Sequence, residues 1–169
     1  MFFVKNWNKL IVCQRHNNGC IPAGIEWILR YAGIINIEFD GFQEEFNLEN
    51  RRISVNKFKT VAEAIQKKYP QVKFEIEDYE IGDGVKKIEK VKELLKKNIP
   101  PLYSITRFYG KFECHVMPVI GFDEQFLYML DFSDSCGNSN ISRVDQKFLI
   151  KLHQAWEEGR DLMWIPLSK

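Results

Sequence analysis

Residues 14–33 read QRHNNGCIPAGIEWILRYAG, and the point where the polar turn Asn17-Asn18-Gly19 gives way to Cys20 decides the fold. Pro22 suits a first helical turn, Ile25, Ile28, Leu29 and Ala32 recur at helical spacing, and Gly33 supplies a stop. Cys20 therefore stands at a helix N-terminus, where unsatisfied backbone N–H groups and the helix dipole draw a thiol toward thiolate. The alternative is an inert cysteine at the start of a core helix. Gln14 stands six positions ahead of Cys20. Its side-chain amide and the Cys20 backbone N–H could together hold the oxygen of a tetrahedral intermediate; otherwise Gln14 is a solvated polar residue.

A thiolate needs a proton partner, and the chain has three histidines. His16 lies in the loop before Cys20, and His153 falls in a helical segment where a surface position is expected. His115 opens the apolar run HVMPVIGF, with a core or edge histidine as the plain reading, and is the preferred base. An imidazole working with a thiol is oriented by a third polar group. Residues 115–122 and 126–132 read as a β-hairpin about a turn at Asp123-Glu124, so antiparallel pairing sets Asp131 opposite His115. Asp134 competes if the register slips.

The remaining segments fill one domain over residues 1–169. Helices are expected from Ser54 through Phe58, Val61, Ala62 and Ile65 to Tyr69-Pro70, after Asp83, and from Asp145 to Glu157. In the second of these Val85, Ile88, Val91, Leu94 and Leu95 point inward, and Lys86, Lys87, Lys90, Lys96 and Lys97 are mostly solvated. Strands are expected around Val72–Ile76 and Leu102–Phe108, with Leu162–Leu167 closing the sheet. Helices first and antiparallel strands later define an α+β fold. Residues 36–99 carry no motif that identifies a chemistry.

Lys and Arg number 24 against 23 Asp and Glu, so nothing marks a nucleic-acid or anionic-membrane surface. No apolar stretch is long enough to span a membrane, and no secretory signal opens the chain. Four scattered cysteines lack the density of a disulfide scaffold and predict thiols in a reducing cytoplasm, with Cys13 and Cys114 in the core. The spacing of Cys114, His115, Asp131 and Cys136 lacks paired zinc motifs, so neither metal nor cofactor is expected.

The order Gln14, Cys20, His115, Asp131 resembles the papain-like cysteine peptidases. C-I-P-A at 20–23, I-L-R-Y-A-G at 28–33 and HVMPVIGFDEQFLYMLD at 115–131 are most similar to the bacteriocin-processing, double-glycine peptidase branch. The resemblance covers residues 10–35 and 100–165. It implies a papain-like fold with an N-terminal helical part carrying the nucleophile Cys20 and a C-terminal antiparallel sheet carrying the base His115 and the orienting Asp131, with Gln14 as oxyanion donor. It implies hydrolysis of a peptide or amide bond through an acyl-enzyme, without a cofactor. The branch usually has an acidic residue before the cysteine and glycine after it, where this chain has Gly19 and Ile21.

H-N-N-G-C and L-R-Y-A-G also resemble the N-terminal region of the butirosin-biosynthesis acyltransferases, which implies acyl transfer to an amine as an alternative. A peptidase-like binding module without turnover is the non-enzymatic alternative. The substrate is a peptide or acylated molecule, and the length places any carrier or propeptide on another chain.

Overall fold

The computed structural model describes residues 1–16, 19–34, 36–48, 58–108, 112–132, 141–155 and 159–166, with the backbone alone at 106–108 and 112–114. A short strand β1 (Phe2–Phe3) and a 3-10 turn (Trp7–Lys9) lead into α1 (Cys20–Tyr31). Every residue from Ile21 to Leu29 is buried, so α1 is a central helix covered all round rather than an amphipathic one. It ends in a Schellman motif: the Gly33 N–H donates to Arg30 O and the Ile34 N–H to Leu29 O, with Gly33 at φ +69°.

Helices α2 (Phe42–Phe46) and α3 (Phe58–Lys68) follow, then β2 (Glu75–Asp78) and α4 (Gly84–Lys96). Ser54, the expected cap of the α3 segment, lies outside the described residues. Asn98, at φ +61°, closes α4 in a second Schellman motif before Pro100-Pro101 forces extended chain. Two positions on α4 depart from the expected pattern. Val85 is exposed, whereas Lys87 is fully buried. The Lys87 ammonium is accommodated because it donates to Ser104 O and Gly159 O, both at 2.9 Å, and lies 3.7 Å from the centre of the Tyr103 ring.

Strands β3 (Leu102–Phe108), β4 (Phe112–Phe122), β5 (Phe126–Leu130) and β6 (Ile141–Asp145) form an antiparallel meander. After α5 (Gln146–Ala155), β7 (Asp161–Trp164) closes the sheet as expected, inserting between β2 and β3. The order is β2-β7-β3-β4-β5-β6, with β1 added on β4, and every pairing is antiparallel.

At the β1 junction a Cβ on Gly121 would fall 2.5 Å from Phe2 O, so only glycine admits β1 there. Buried residues of α1, α3, α4 and the sheet join in one apolar core, with Trp27, Phe42 and Phe58 among its largest members. Trp164 is also buried and Trp7 packs against this core, while Trp156 lies outside the described residues. On α5 Leu149 is buried in this core and Phe148 is exposed.

Candidate active site

Cys20 is the first residue of α1, half-buried, and a thiol. Its helix is seated on the sheet one turn further on: a Cβ at Gly24 would stand 3.1 Å from Leu102 Cδ2 and 3.5 Å from Val116 Cγ1. Val116 is the neighbour of His115, so the opening of α1 and the His115 stretch of β4 belong to one packed region. Ile21, bulky where the family pattern has glycine, is buried in the core.

The segment before Cys20 is tightly folded on itself. The carbonyl of His16 accepts from the Gly19 N–H at 2.9 Å and from Gln14 Nε2 at 2.6 Å. A Cβ on Gly19 would lie 3.1 Å from that carbonyl oxygen and 3.6 Å from Gln14 Cγ. Gln14 is therefore brought beside the residue that precedes Cys20, and the acidic side chain usual at position 19 would crowd this turn.

His115 and Asp131 meet, with Nε2 3.1 Å from Oδ1 and both side chains largely buried. An ionised carboxylate can only accept, so Nε2 carries the hydrogen and Nδ1 of the neutral imidazole is left as the basic nitrogen. The pairing that brings them together differs from the expected one. The turn at Asp123 is present: the Asp123 carboxylate accepts from the Gln125 and Phe126 N–H groups.

A register shift between Val119 and Gly121 then moves the strands, so that Phe122 pairs with Leu127 but Val119 with Met129. Continued along the strands, that register sets Asp131 opposite Met117, on the same face as His115 and diagonal to it. A diagonal neighbour is within reach of a side chain as long as histidine. Asp134 lies outside the described residues.

The other histidines and cysteines separate clearly. His16 Nε2 is 3.8 Å from Glu44 Oε1, and Arg15 also reaches Glu44. Hydrogen bonding from its own backbone N–H, ahead of the neighbouring Arg15 and His16, holds the Glu44 carboxyl below its ordinary value. His153 is buried rather than on the surface, because Nε2 donates to the Glu80 carbonyl at 2.8 Å and the ring packs beside Gly84. Cys13 is disulfide-bonded rather than a core thiol, which removes the four-thiol premise from which a reducing compartment was expected. The Cys114 side chain and Cys136 lie outside the described residues.

One group of residues escaped the sequence reading. Glu26, buried within α1, accepts from Arg30 Nε at 2.8 Å and from Gln43 Nε2 at 2.8 Å. Gln43, buried in α2, also donates to Cys13 O at 2.7 Å and accepts from the Arg15 N–H at 3.0 Å. The one signal available was the pair Glu26 and Arg30, four residues apart in a mostly apolar helix; nothing marked Gln43.

Among the described residues no cluster of three His, Cys, Asp or Glu side chains could hold a metal ion. Nor is any helix among them long and apolar enough to cross a membrane.

A C39-like peptidase from Bacillus anthracis has a similar structure, with TM-score 0.63 at 15% identity and 100% of both chains covered. A looser likeness, to the avirulence protein AvrPphB of Pseudomonas, has TM-score 0.40 at 12% identity, covering 100% of this chain and 97% of that one. No curated protein sequence matches. The α+β pattern read from the order of helices and strands, and the papain-like fold that the family resemblance implies, are the fold observed, in keeping with the double-glycine branch. The matching family model spans residues 5–161, taking in Gln14, Cys20, His115 and Asp131, and the chain belongs to the Peptidase C39-like family.

Proposed function

We propose that the protein is a thiol hydrolase that cleaves a peptide or amide bond through an acyl-enzyme on Cys20. The observation that supports this reading is the His115–Asp131 pair, whose 3.1 Å contact uses Nε2 and leaves Nδ1 for the proton transfer proposed here. The thiol of Cys20, at the start of α1, supplies the nucleophile.

In the assigned mechanism the Cys20 proton resides on His115 Nδ1, and the thiolate attacks the substrate carbonyl carbon. A carboxamide has two N–H groups. The bond to His16 sets the plane of the Gln14 amide, and its second N–H, with the Cys20 backbone N–H, receives the developing oxyanion. His115 then gives its proton to the leaving amine as the C–N bond breaks, which leaves a thioester on Cys20. Water adds to the thioester, with His115 Nδ1 taking its proton. Collapse of this second tetrahedral intermediate releases the carboxylic acid and restores the thiolate. Asp131 holds the ring and balances the imidazolium charge. The substrate is a peptide, expected on a separate chain.

Iodoacetamide labelling at about pH 6 under non-reducing conditions, with the adduct located by mass spectrometry, tests the thiolate. An ordinary thiol with pKa near 8.5 is less than about 1% ionised there, so Cys20 should react fastest and His115→Ala should slow it at least about tenfold. Equal rates in the wild type and His115→Ala would overturn the reading. Release of an activated acyl group that depends on an added amine, with none by water, would move the assignment to acyl transfer. Labelling of Cys20 without formation of any acyl-enzyme would leave a binding module.

A further inference from the structure

We propose that Gln43 is a positioning residue for the oxyanion donor, acting through the backbone on either side of Gln14 and tied by Glu26 to the helix that carries Cys20. This rests on Gln14 having the role assigned above. The Gln43 amide closes on two backbone groups, the Cys13 carbonyl at 2.7 Å and the Arg15 N–H at 3.0 Å. These belong to the two peptide planes that meet at the Gln14 Cα. A single side chain thus fixes both rotations about that atom, as a paired neighbouring strand would. The direction in which the Gln14 side chain leaves the backbone follows from those two rotations, and it runs toward Gly19.

Glu26 makes the clamp directional. Its carboxylate only accepts, so the Gln43 nitrogen must face both Glu26, at 2.8 Å, and Cys13 O, leaving Oε1 for the Arg15 N–H. Arg30 holds the other Glu26 oxygen at 2.8 Å. Glu26 lies on the same buried helix as Cys20, so donor and nucleophile are referred to one rigid body. Gln43 and Glu26 are 1% and 3% exposed. Burial of a carboxylate and a carboxamide is costly without full hydrogen bonding, and both are placed where that cost secures the geometry of a three-residue segment.

Two small reagents separate positioning from general damage. Transfer of the acetyl group of p-nitrophenyl acetate to Cys20 forms an oxyanion: the S–C bond forms, a tetrahedral intermediate collapses and p-nitrophenolate leaves. Alkylation by iodoacetamide displaces iodide at a saturated carbon and forms no oxyanion. In the full-length protein, Gln43→Ala is expected to slow acetylation of Cys20, located by mass spectrometry, about tenfold, while alkylation stays within about twofold of wild type.

Gln14→Ala should slow acetylation about 100-fold, in line with loss of an oxyanion donor, and adding Gln43→Ala to it should change the rate by no more than about twofold. Gln43→Met, which keeps the length and volume of the side chain without adding a charge but loses both bonds to the Gln14 backbone, should reproduce Gln43→Ala and covers the case in which the cavity left by alanine prevents folding. A parallel fall in both reactions, an additive double variant or an unchanged acetylation rate would each overturn the proposal. Failure of the wild-type Cys20 to react preferentially with either reagent would instead sink the hydrolase reading, and this proposal with it.

Discussion

Replacing Gly24 by alanine probes the seat of the helix that carries Cys20. An added Cβ would stand 3.1 Å from Leu102 Cδ2, 3.4 Å from Leu102 Cδ1 and 3.5 Å from Val116 Cγ1. Carbon pairs rest at about 3.5–4.0 Å, so something must yield by about half an ångström. Leu102 is completely buried and cannot swing aside into solvent. Alanine gains about 1 kcal/mol in helix propensity over glycine, while overpacking a filled core costs about 1–3 kcal/mol. The net expectation is a loss of about 0–2 kcal/mol.

For a chain of this size that lowers Tm by up to about 6 °C. The effect on reactivity is the larger one. A displacement of about 1 Å at a reacting group can cost about 100-fold, so half of that at the α1–β4 contact should slow acetylation of Cys20 about tenfold. Thermal unfolding and the p-nitrophenyl acetate rate are measured on one preparation. A variant with raised Tm and undiminished acetylation would show that the spacing of α1 from Leu102 and Val116 does not govern the site.

Three further outcomes are expected. Asp131→Ala leaves the buried His115 Nε2–H without its carboxylate; alkylation of Cys20 at about pH 6 should fall at least about tenfold and recover near pH 9, where an ordinary thiol ionises by itself. Lys87→Met strips hydrogen bonds from the carbonyls of Ser104 and Gly159. At about 1.5–3 kcal/mol per charged hydrogen bond, partly offset because methionine needs no desolvation, stability should drop about 2–4 kcal/mol in chemical denaturation.

His153 has its pKa lowered, first by burial and then by the charges of Lys87 and Arg160, against the opposing pull of the Glu80 carbonyl and Asp83. Its Nδ1 is buried with no hydrogen-bond partner among the described residues, so protonation places a charge there. The unfolded chain takes up this proton near pH 6.5 and the folded chain only below it. The His153 contribution is thus fully present above about pH 6.5 and is lost as pH falls from there toward the folded value. His153→Gln should flatten the slope of Tm against pH across that interval; an unchanged slope would refute the assignment.

What could be read from residues alone follows the range of the interactions. The Cys20 helix, the Asp123 turn and the strands around it are written in local spacing, and the structure has them. The loop falls on Glu124-Gln125, closed by the Asp123 N–H to Phe126 O, rather than on Asp123-Glu124, and this offset carries Asp131 off the position directly across from His115. The bulge then shifts the register back by one and returns Asp131 to the His115 face, on the diagonal, with Pro118 and Gly121 in the strand as its hints. Lys87 and His153 were assigned to solvent because their partners, Gly159 and Glu80, lie far away in sequence. Short β6 and α2 carry too few residues for a period to show, and with α2 went Gln43. Cys13 misled for another reason: a disulfide is a relation between two positions, and spacing along the chain does not reveal it.

The placement of β7 has a temporal side. Glu75 of β2 pairs with Trp164, and Leu102 of β3 pairs with Met163, so among the described residues β2 joins the rest of the sheet through β7, a strand that follows all the others along the chain. The same segment supplies the Gly159 carbonyl to Lys87 and the Asp161 carboxylate to the Ser104 hydroxyl and the Phe58 N–H. During translation the His115–Asp131 hairpin can form early from neighbouring chain, while β2 and β3 wait with open edges. Such edges invite pairing with other chains, and contacts so distant in sequence form slowly. A nascent chain would therefore hold its imidazole and carboxylate together before β2 is joined to the sheet, and β7 sets the moment at which the two parts of the sheet become one.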